Sequence, residues 1–429
     1  MAKMRGILIA VCGLLVLAGC GKPVEGPNPS DSYKLYEAAS TRSESIVAVI
    51  DSRSHSVDRK LPLGAPSLDW KHIYSVSYRT LVDVDPQTGA TLHSLRLPSS
   101  LLLPPATSSG MPGGLSRNGR WLVLQGFNDI PDNDIPDGPP TVTHLLLVDT
   151  TYAKAPVPIE LPGFFEFDAV SNDGMRVFLI QYVSGSIYHV RFYDVGLRRL
   201  DPNIVFDKSD GTDAMTGVRL SGVASPDGRW LFSVYARENA SPFVHALDLD
   251  SAVAFCLDLP GSGYSGSGDD PLRWSLALSA NGTRLYAANG ALGVITEISN
   301  LPDAIPSIVH TYQLGKASAS AGGLIQDVEA KEMGLGGAVL TPDGKTLVVT
   351  GSSGVVWVDT ASMRSARHEL DNWRVWGLAL SPDGKVLYAV NDAGMIAELP
   401  MAGGAGTRFT GAPGQPLALI RVEAVSTSP

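Results

Sequence analysis

Along most of its length the chain alternates apolar and polar residues with a period of two, in short runs broken by Gly, Pro, Asn and Asp. That period places successive side chains on opposite faces of an extended backbone, so it predicts strands and not helices. One phrase recurs through the pattern: an apolar run, then Ser-x-Asp-Gly or a close variant, then a second apolar alternation. It stands in Ser116-Arg-Asn-Gly-Arg-Trp-Leu-Val, Ser171-Asn-Asp-Gly-Met-Arg-Val-Phe and Ser225-Pro-Asp-Gly-Arg-Trp-Leu-Phe. It returns in Ser279-Ala-Asn-Gly-Thr-Arg-Leu-Tyr, Thr341-Pro-Asp-Gly-Lys-Thr-Leu-Val and Ser381-Pro-Asp-Gly-Lys-Val-Leu-Tyr. The turn glycines Gly119, Gly174, Gly228, Gly282, Gly344 and Gly384 are spaced by 55, 54, 54, 62 and 40 residues. Asn-Gly or Asp-Gly between two alternating runs is a hairpin signal, because glycine accepts a positive φ at no steric cost.

A second phrase sets the register of each unit. An apolar strand ends in Asp or Asn at Asp51, Asp85, Asp149, Asp194, Asp250, Asn300 and Asp359. It reads as the third strand, C, of a four-stranded unit A–B–C–D, and a period of this size with several strands per unit predicts propeller blades. Six units carry the clear turn, and Ser67-Leu-Asp-Trp-Lys-His-Ile-Tyr is a degenerate seventh. Residues 33–63 supply strands B, C and D without an A, while Pro416-Leu-Ala-Leu-Ile-Arg-Val-Glu is a lone strand at the other end. Pairing the two closes the ring. The expected fold is all-β, a propeller of seven or eight four-stranded blades, with eight favoured over seven.

The repeats resemble the YVTN/lactonase-like and TolB/WD40-like propellers, with which they share the Ser-Pro-Asp-Gly-Lys-x-Leu-Tyr turn. The resemblance covers about residues 33–425 and speaks for fold far more than for function, since this scaffold carries many activities. In the lactonase-like members, acid, Arg and His residues around the central channel form the site; no such set aligns onto this chain from its sequence.

The first 20 residues differ from the rest. Lys3 and Arg5 precede an apolar run over 6–17, too short for a permanent membrane span, and Leu17-Ala18-Gly19-Cys20 closes it. This ending resembles the bacterial lipobox, which implies cleavage after residue 19 and acylation of Cys20. The expected organisation is a signal peptide over 1–19, a lipidated cysteine with a Pro- and Gly-rich tether over 20–32, the propeller over 33–425 and a tail over 426–429. Two or more acyl chains give stable attachment, at about 0.8 kcal/mol per buried methylene. The expected location is the cell envelope, on the extracytoplasmic side of a membrane, and the outer membrane where the host has one, because Gly21 and not Asp follows the cysteine.

Composition narrows the function classes. Lys and Arg number 33 against 43 Asp and Glu, a formal charge of −10, which leaves no electrostatic footprint for nucleic acid. Beyond the leader cysteines only Cys256 remains, in a strand-like run where it reads as a small apolar residue. Gly-x-Ser-x-Gly, His-Glu-x-x-His, phosphate-loop and dinucleotide signatures are absent.

Insertions point to one face. In a propeller the A–B and C–D turns share one face, and the B–C and D–A connections share the other. The A–B turns are uniformly tight. The expanded stretches, 128–140, 99–114, 207–217, 261–271 and 315–334, all fall to B–C or D–A connections, where binding tends to reside. Several are acidic: Asp129, Asp132, Asp134 and Asp137 lie close together, as do Asp207, Asp210 and Asp213, and Asp269 adjoins Asp270. The first quartet sits on a turning backbone and is a candidate Ca²⁺ site, although its Gly138 and missing closing Glu depart from the EF-hand. His144, His189 and His245 occupy equivalent strand positions in successive units. Blades stand about 10 Å apart and zinc ligands about 2 Å from the metal, so these histidines read as a repeated packing position.

The function these features imply is a membrane-anchored binding or protein-interaction module with a protein or small-molecule ligand on the long-loop face. The alternatives are a lactonase-like or other hydrolytic enzyme with its site at the channel mouth, and an envelope assembly or sensor component. If the acidic quartet binds Ca²⁺, a thermal melt of residues 21–429 rises in millimolar CaCl₂ and falls back with EDTA. A site saturated about a hundredfold over its dissociation constant adds about 2.7 kcal/mol. Substituting Asp132 and Asp134 abolishes the rise; no rise in the wild type removes calcium from the description.

Overall fold

The computed structural model describes residues 32–105, 111–127, 140–184, 187–205, 215–264, 268–314 and 336–425. Its strands form eight antiparallel sheets arranged as the blades of a propeller. Blades I to VII follow in chain order, with strand B at Ile73–Ser77, Trp121–Phe127, Arg176–Ser184, Trp230–Arg237, Arg284–Asn289, Thr346–Thr350 and Val386–Asn391. Blade VIII is made from both ends of the chain: Gln415–Ala424 is its inner strand A, and Tyr33–Ser40, Ser45–Asp51 and Val57–Pro62 are B, C and D. Eight blades are therefore present, and the ring closes as the lone terminal strand implied. No helix among the described residues is long and apolar enough to cross a membrane.

The recurring turn forms for a local reason. In all six clear copies the glycine has φ between +70° and +75° and its N–H donates to the carbonyl of the Ser or Thr three residues earlier. The hydroxyl of that residue donates to the Asp or Asn carboxamide or carboxylate between them, as in Ser171–Asp173 at 2.5 Å and Ser381–Asp383 at 2.7 Å. In the degenerate copy Trp70 takes the glycine's place at φ +55°, and Ser67 still bonds Asp69 at 2.7 Å. The polar pair thus specifies the turn well enough to hold a tryptophan in a region that disfavours it.

Strands B and C read as near-continuous apolar runs because each face of a blade is covered by a neighbouring blade. Blade VII sends Tyr388, Val390 and Ile396 against Leu35, Ala48 and Ile50 of blade VIII, all buried. Strand D lies at the rim and is exposed, as over Ser307–Gln313. A basic side chain at the start of strand B ties down the end of strand C: Arg120 to Asp149 at 2.7 Å and Arg229 to Asp248 at 2.8 Å, with the His72 ring bonded to Asp83 at 2.9 Å in blade I. In blade IV this role falls to Asp248, two residues before the expected Asp250, because the strand ends there and Asp248 accepts the N–H groups of Asp250 and Ser251.

Two of the expected D–A loops are partly built into blades. Leu102 and Leu115 pair with Gln125 and Leu122, so the described residues 101–105 and 111–115 supply a broken inner strand to blade II. Met215–Thr216 pairs with Tyr188 and Ile187, making it a continuation of the outer edge of blade III. Both stretches still leave the blades from the B–C and D–A end.

Closure encloses one carboxylate. Glu37, in strand B of blade VIII, is wholly buried under the connection that leads into the closing strand. Its Oε2 accepts the Ala412 N–H at 2.5 Å, its Oε1 meets no donor, and a Cβ on Gly411 would lie 2.4 Å from Oε2. Burial pushes its carboxyl from 4.5 up to about 7, with the Ala412 N–H opposing. A raised acid binds its proton more tightly in the folded state, so its contribution is lost as pH climbs from about 4.5 through about 7. Urea denaturation at pH 5 and pH 8 will therefore show wild type losing about 3 kcal/mol relative to Glu37→Gln across that window. Equal changes in the two proteins contradict this account.

Candidate functional site

Charged side chains are scarce on the inner strands of blades I to VII, which makes one group stand out. Strand A of blade III, Phe165–Val170, reads Phe-Glu-Phe-Asp-Ala-Val, and strand A of blade IV, Val218–Ala224, carries Arg219. Phe167 pairs with Leu179 and Ala169 with Phe178, leaving Asp168 as the extra residue of a β-bulge. Leu220 is the extra residue next to Arg219 in blade IV. Bulges turn a side chain out of the regular alternation. Here Arg219 Nη1 donates to Asp168 Oδ1 at 2.6 Å across the gap between the two blades, with the side chains only 18% and 1% exposed.

Tyrosines complete the group. The Tyr182 hydroxyl donates to Glu166 Oε2 at 2.8 Å. The Tyr188 ring lies 6.2 Å from Tyr182 and 6.0 Å from Tyr235, which packs edge-on to His245. Burial, reinforced by the charge of Glu166, holds the Tyr182 hydroxyl above its usual range. Burial does the same for Tyr188 and Tyr235. Burial also works against the Arg219 charge, but Tyr235, Asp168, Glu166 and Tyr182 around it more than compensate and raise its pKa. Asp168 Oδ2 remains without a hydrogen-bond partner, while the Tyr188 hydroxyl stands beside that of Tyr235. Chemically this is a partly buried cluster of two carboxylates, one guanidinium and three protonated phenols, able to accept and donate hydrogen bonds. All of it lies toward the B–C and D–A end of the strands, the face to which the insertions map.

A second ionic group bridges D–A connections on the same face. Asp269 takes Arg374 Nη2 at 2.8 Å, joining the approaches to blades V and VII, and Asp270 lies 3.6 Å from Arg273. Arg273 in turn donates to the Gly351 carbonyl of blade VI at 3.4 Å. The Asp269–Asp270 pair singled out in the sequence is thus committed to arginines. A groove of about 460 Å³ runs beside the connection from blade VI to VII, lined by His368, Asp371, Trp373 and Arg408.

The remaining sequence candidates divide. Cys20 and the quartet Asp129, Asp132, Asp134 and Asp137 lie outside the described residues, as do Asp207, Asp210 and Asp213. His144 faces Glu160 of its own blade at 3.9 Å, His189 lies opposite Gln181, and His245 lies opposite Cys256. The structure does not bring the three histidines together. Cys256 is half-buried at the packing between blades III and IV. No group of three or more metal-ligating side chains is placed to hold a metal among the described residues. The cluster of Glu166, Asp168 and Arg219 escaped the sequence reading. Its signal was two acids alternating with phenylalanines in a strand whose counterparts carry Leu, Ala and Ser.

No protein-family model matches the chain, and no curated protein matches its sequence. Solved structures do resemble it in fold. AztD of Citrobacter koseri, in its apo form, is 12% identical over 93% of this chain and 100% of its own, with a TM-score of 0.52. The periplasmic gluconolactonase PpgL of Pseudomonas aeruginosa is 18% identical over 83% and 99%, at 0.43. A putative 6-phosphogluconolactonase of Bacteroides uniformis is 16% identical over 92% and 99%, at 0.40. At such identities the likeness concerns the propeller alone.

Breaking the buried pair tests how the cluster is held. Arg219→Met strands the Asp168 carboxylate and is expected to cost about 3–5 kcal/mol in urea denaturation. The double variant with Asp168→Asn recovers much of that loss. Additive losses from the two single changes would show that the side chains are not coupled.

Proposed function

We propose that the chain is an extracytoplasmic, lipid-anchored binding module whose ligand seats between the inner strands of blades III and IV. One observation carries this reading: Asp168 Oδ2 is buried and unpartnered beside Arg219 and Glu166. Buried polar atoms are ordinarily satisfied, so an acceptor left open favours a ligand that supplies the missing donor. Two carboxylates against one guanidinium leave the cluster with an excess negative charge, which disfavours an anion. A neutral, hydroxyl-rich small molecule fits, since its hydroxyls donate to the carboxylates and accept from tyrosine. The envelope location rests on the leader and Cys20.

A hydrolytic reading has its own support in the convergence of acids and an arginine at the channel side. The commitments of those groups weigh against it. Asp168 is spent on Arg219 and Glu166 on Tyr182, and the phenols hold their protons well above neutral pH. General acid–base catalysis works best with a group that titrates near the operating pH. No histidine bonds to Glu166, Asp168 or Arg219 among the described residues.

Titration with glucono-δ-lactone and with gluconate, read by intrinsic fluorescence and by proton release, separates the readings. The expected result is saturable binding of the neutral lactone and weaker binding of the anion, without accelerated proton release. Tyr188→Phe weakens binding while leaving the fold intact by circular dichroism. Accelerated lactone opening that disappears in Asp168→Asn would replace the binding module with an enzyme; indifference to both compounds would dismiss the polyol ligand.

A further inference from the structure

Both ends of the described chain leave the propeller from one face. Ser32 accepts the Val425 N–H at 2.9 Å, and Tyr33 pairs with Ala424 at the end of the closing strand. Lys34 pairs with Asp51, the last residue of strand C, so strand B of blade VIII starts at the C–D turn end. The Tyr33 hydroxyl donates to Asp383 Oδ2, the A–B turn acid of blade VII, at 3.1 Å. Strand B then runs away from that end to Ser40 and the B–C turn. The tether that begins at Cys20 therefore joins the propeller on the A–B/C–D turn face, opposite the long loops.

Reach then decides the orientation. Twelve residue steps lead from Cys20 to Ser32, spanning at most about 40 Å when fully extended and about 20 Å as a flexible coil. Reaching a membrane on the loop side would mean passing strands C and D and the full blade height. That path is about 10 Å of strand spacing plus 20–25 Å of strand length, which requires a tether pressed flat and nearly straight. Leaving directly from the turn face requires nothing of the kind.

Charge points the same way. The connections on the loop face carry Asp129, Asp132, Asp134, Asp137, Asp207, Asp210 and Asp213 in sequence. On the turn face the exposed Lys71, Lys345 and Lys385 each stand within 3.5 Å of the turn's own aspartate, so those acids are balanced. A surface containing anionic phospholipid repels the first face and tolerates the second.

We infer that the anchored chain stands with its A–B/C–D turn face on the lipid surface and presents the loop face, with Glu166, Asp168 and Arg219, away from the membrane. The inference rests on acylation of Cys20. It deepens the binding reading by directing the site toward soluble ligands and not toward lipid.

The test uses the acylated full chain in vesicles of phosphatidylethanolamine and phosphatidylglycerol that carry a headgroup-attached quencher. A single fluorescent amino acid replaces Leu301 or Lys345 on the turn face, or Tyr78 or Leu102 on the loop face, all exposed. Strong quenching at positions 301 and 345 with little at 78 and 102 is the expected result. Flotation is measured on the same samples, with Cys20→Ser as the unanchored control. A chain that floats but is quenched equally at both faces, or more at 78 and 102, overturns the orientation and leaves the anchor standing. A chain that floats no better than Cys20→Ser overturns the anchor and the orientation with it.

Discussion

The backbone pairing between Gln415–Ala424 and Tyr33–Ser40 is the constraint on which the remaining architecture depends. It joins the two ends of the described chain into one blade, so blade VIII has its inner strand only when the two ends meet. Loop-closure entropy grows only slowly with chain length, and eight residues of ladder with two bulges repay it locally. Once the ring is closed, each blade is covered on both faces, which is why strands B and C can be apolar throughout. Closure also traps Glu37 beneath Gly411 and Ala412, in a place no open sheet would provide.

The ring divides labour between its faces. On one side, near-identical turns repeat the same hydroxyl–carboxylate bond and glycine conformation. Neighbouring turns are also linked: Asn118 bonds Asn172, and Asn172 bonds the Asp227 carbonyl. Such uniformity suits a rigid base. On the other side, connections vary in length and charge, and beside them lie the bulges at Asp168 and Leu220 and the Asp269–Arg374 bridge. A rigid base beneath variable connections is the usual way a scaffold carries a binding site.

Within the cluster between blades III and IV, low dielectric makes each commitment matter. Arg219 and Asp168 are nearly dry, so each is stabilised mainly by the other, and removal of either leaves a buried charge. The tyrosines keep their protons for the same reason, which makes them donors at any physiological pH. A site of this kind recognises by hydrogen-bond complementarity more readily than it moves protons.

The sequence by itself determined the all-β propeller class and favoured eight blades over seven with a ring closed by the terminal strands, because these follow from short-range rules. A period of two, a Ser-x-Asp-Gly turn and an unpartnered strand at each end need no knowledge of distant contacts. Even the degenerate first unit was legible, since Ser67 and Asp69 keep the turn where Trp70 replaces glycine. The face bearing the insertions followed from strand connectivity alone. Only tertiary structure decided which charged residues meet. Asp168 and Arg219 lie on different blades, and a bulge that adds one residue to the strand turns Asp168 toward its partner; neither fact is written in local pattern. The same holds for Asp269 with Arg374, joined across an intervening blade, and for the exit of both chain ends on one face, which strand order implies only after the ring has closed.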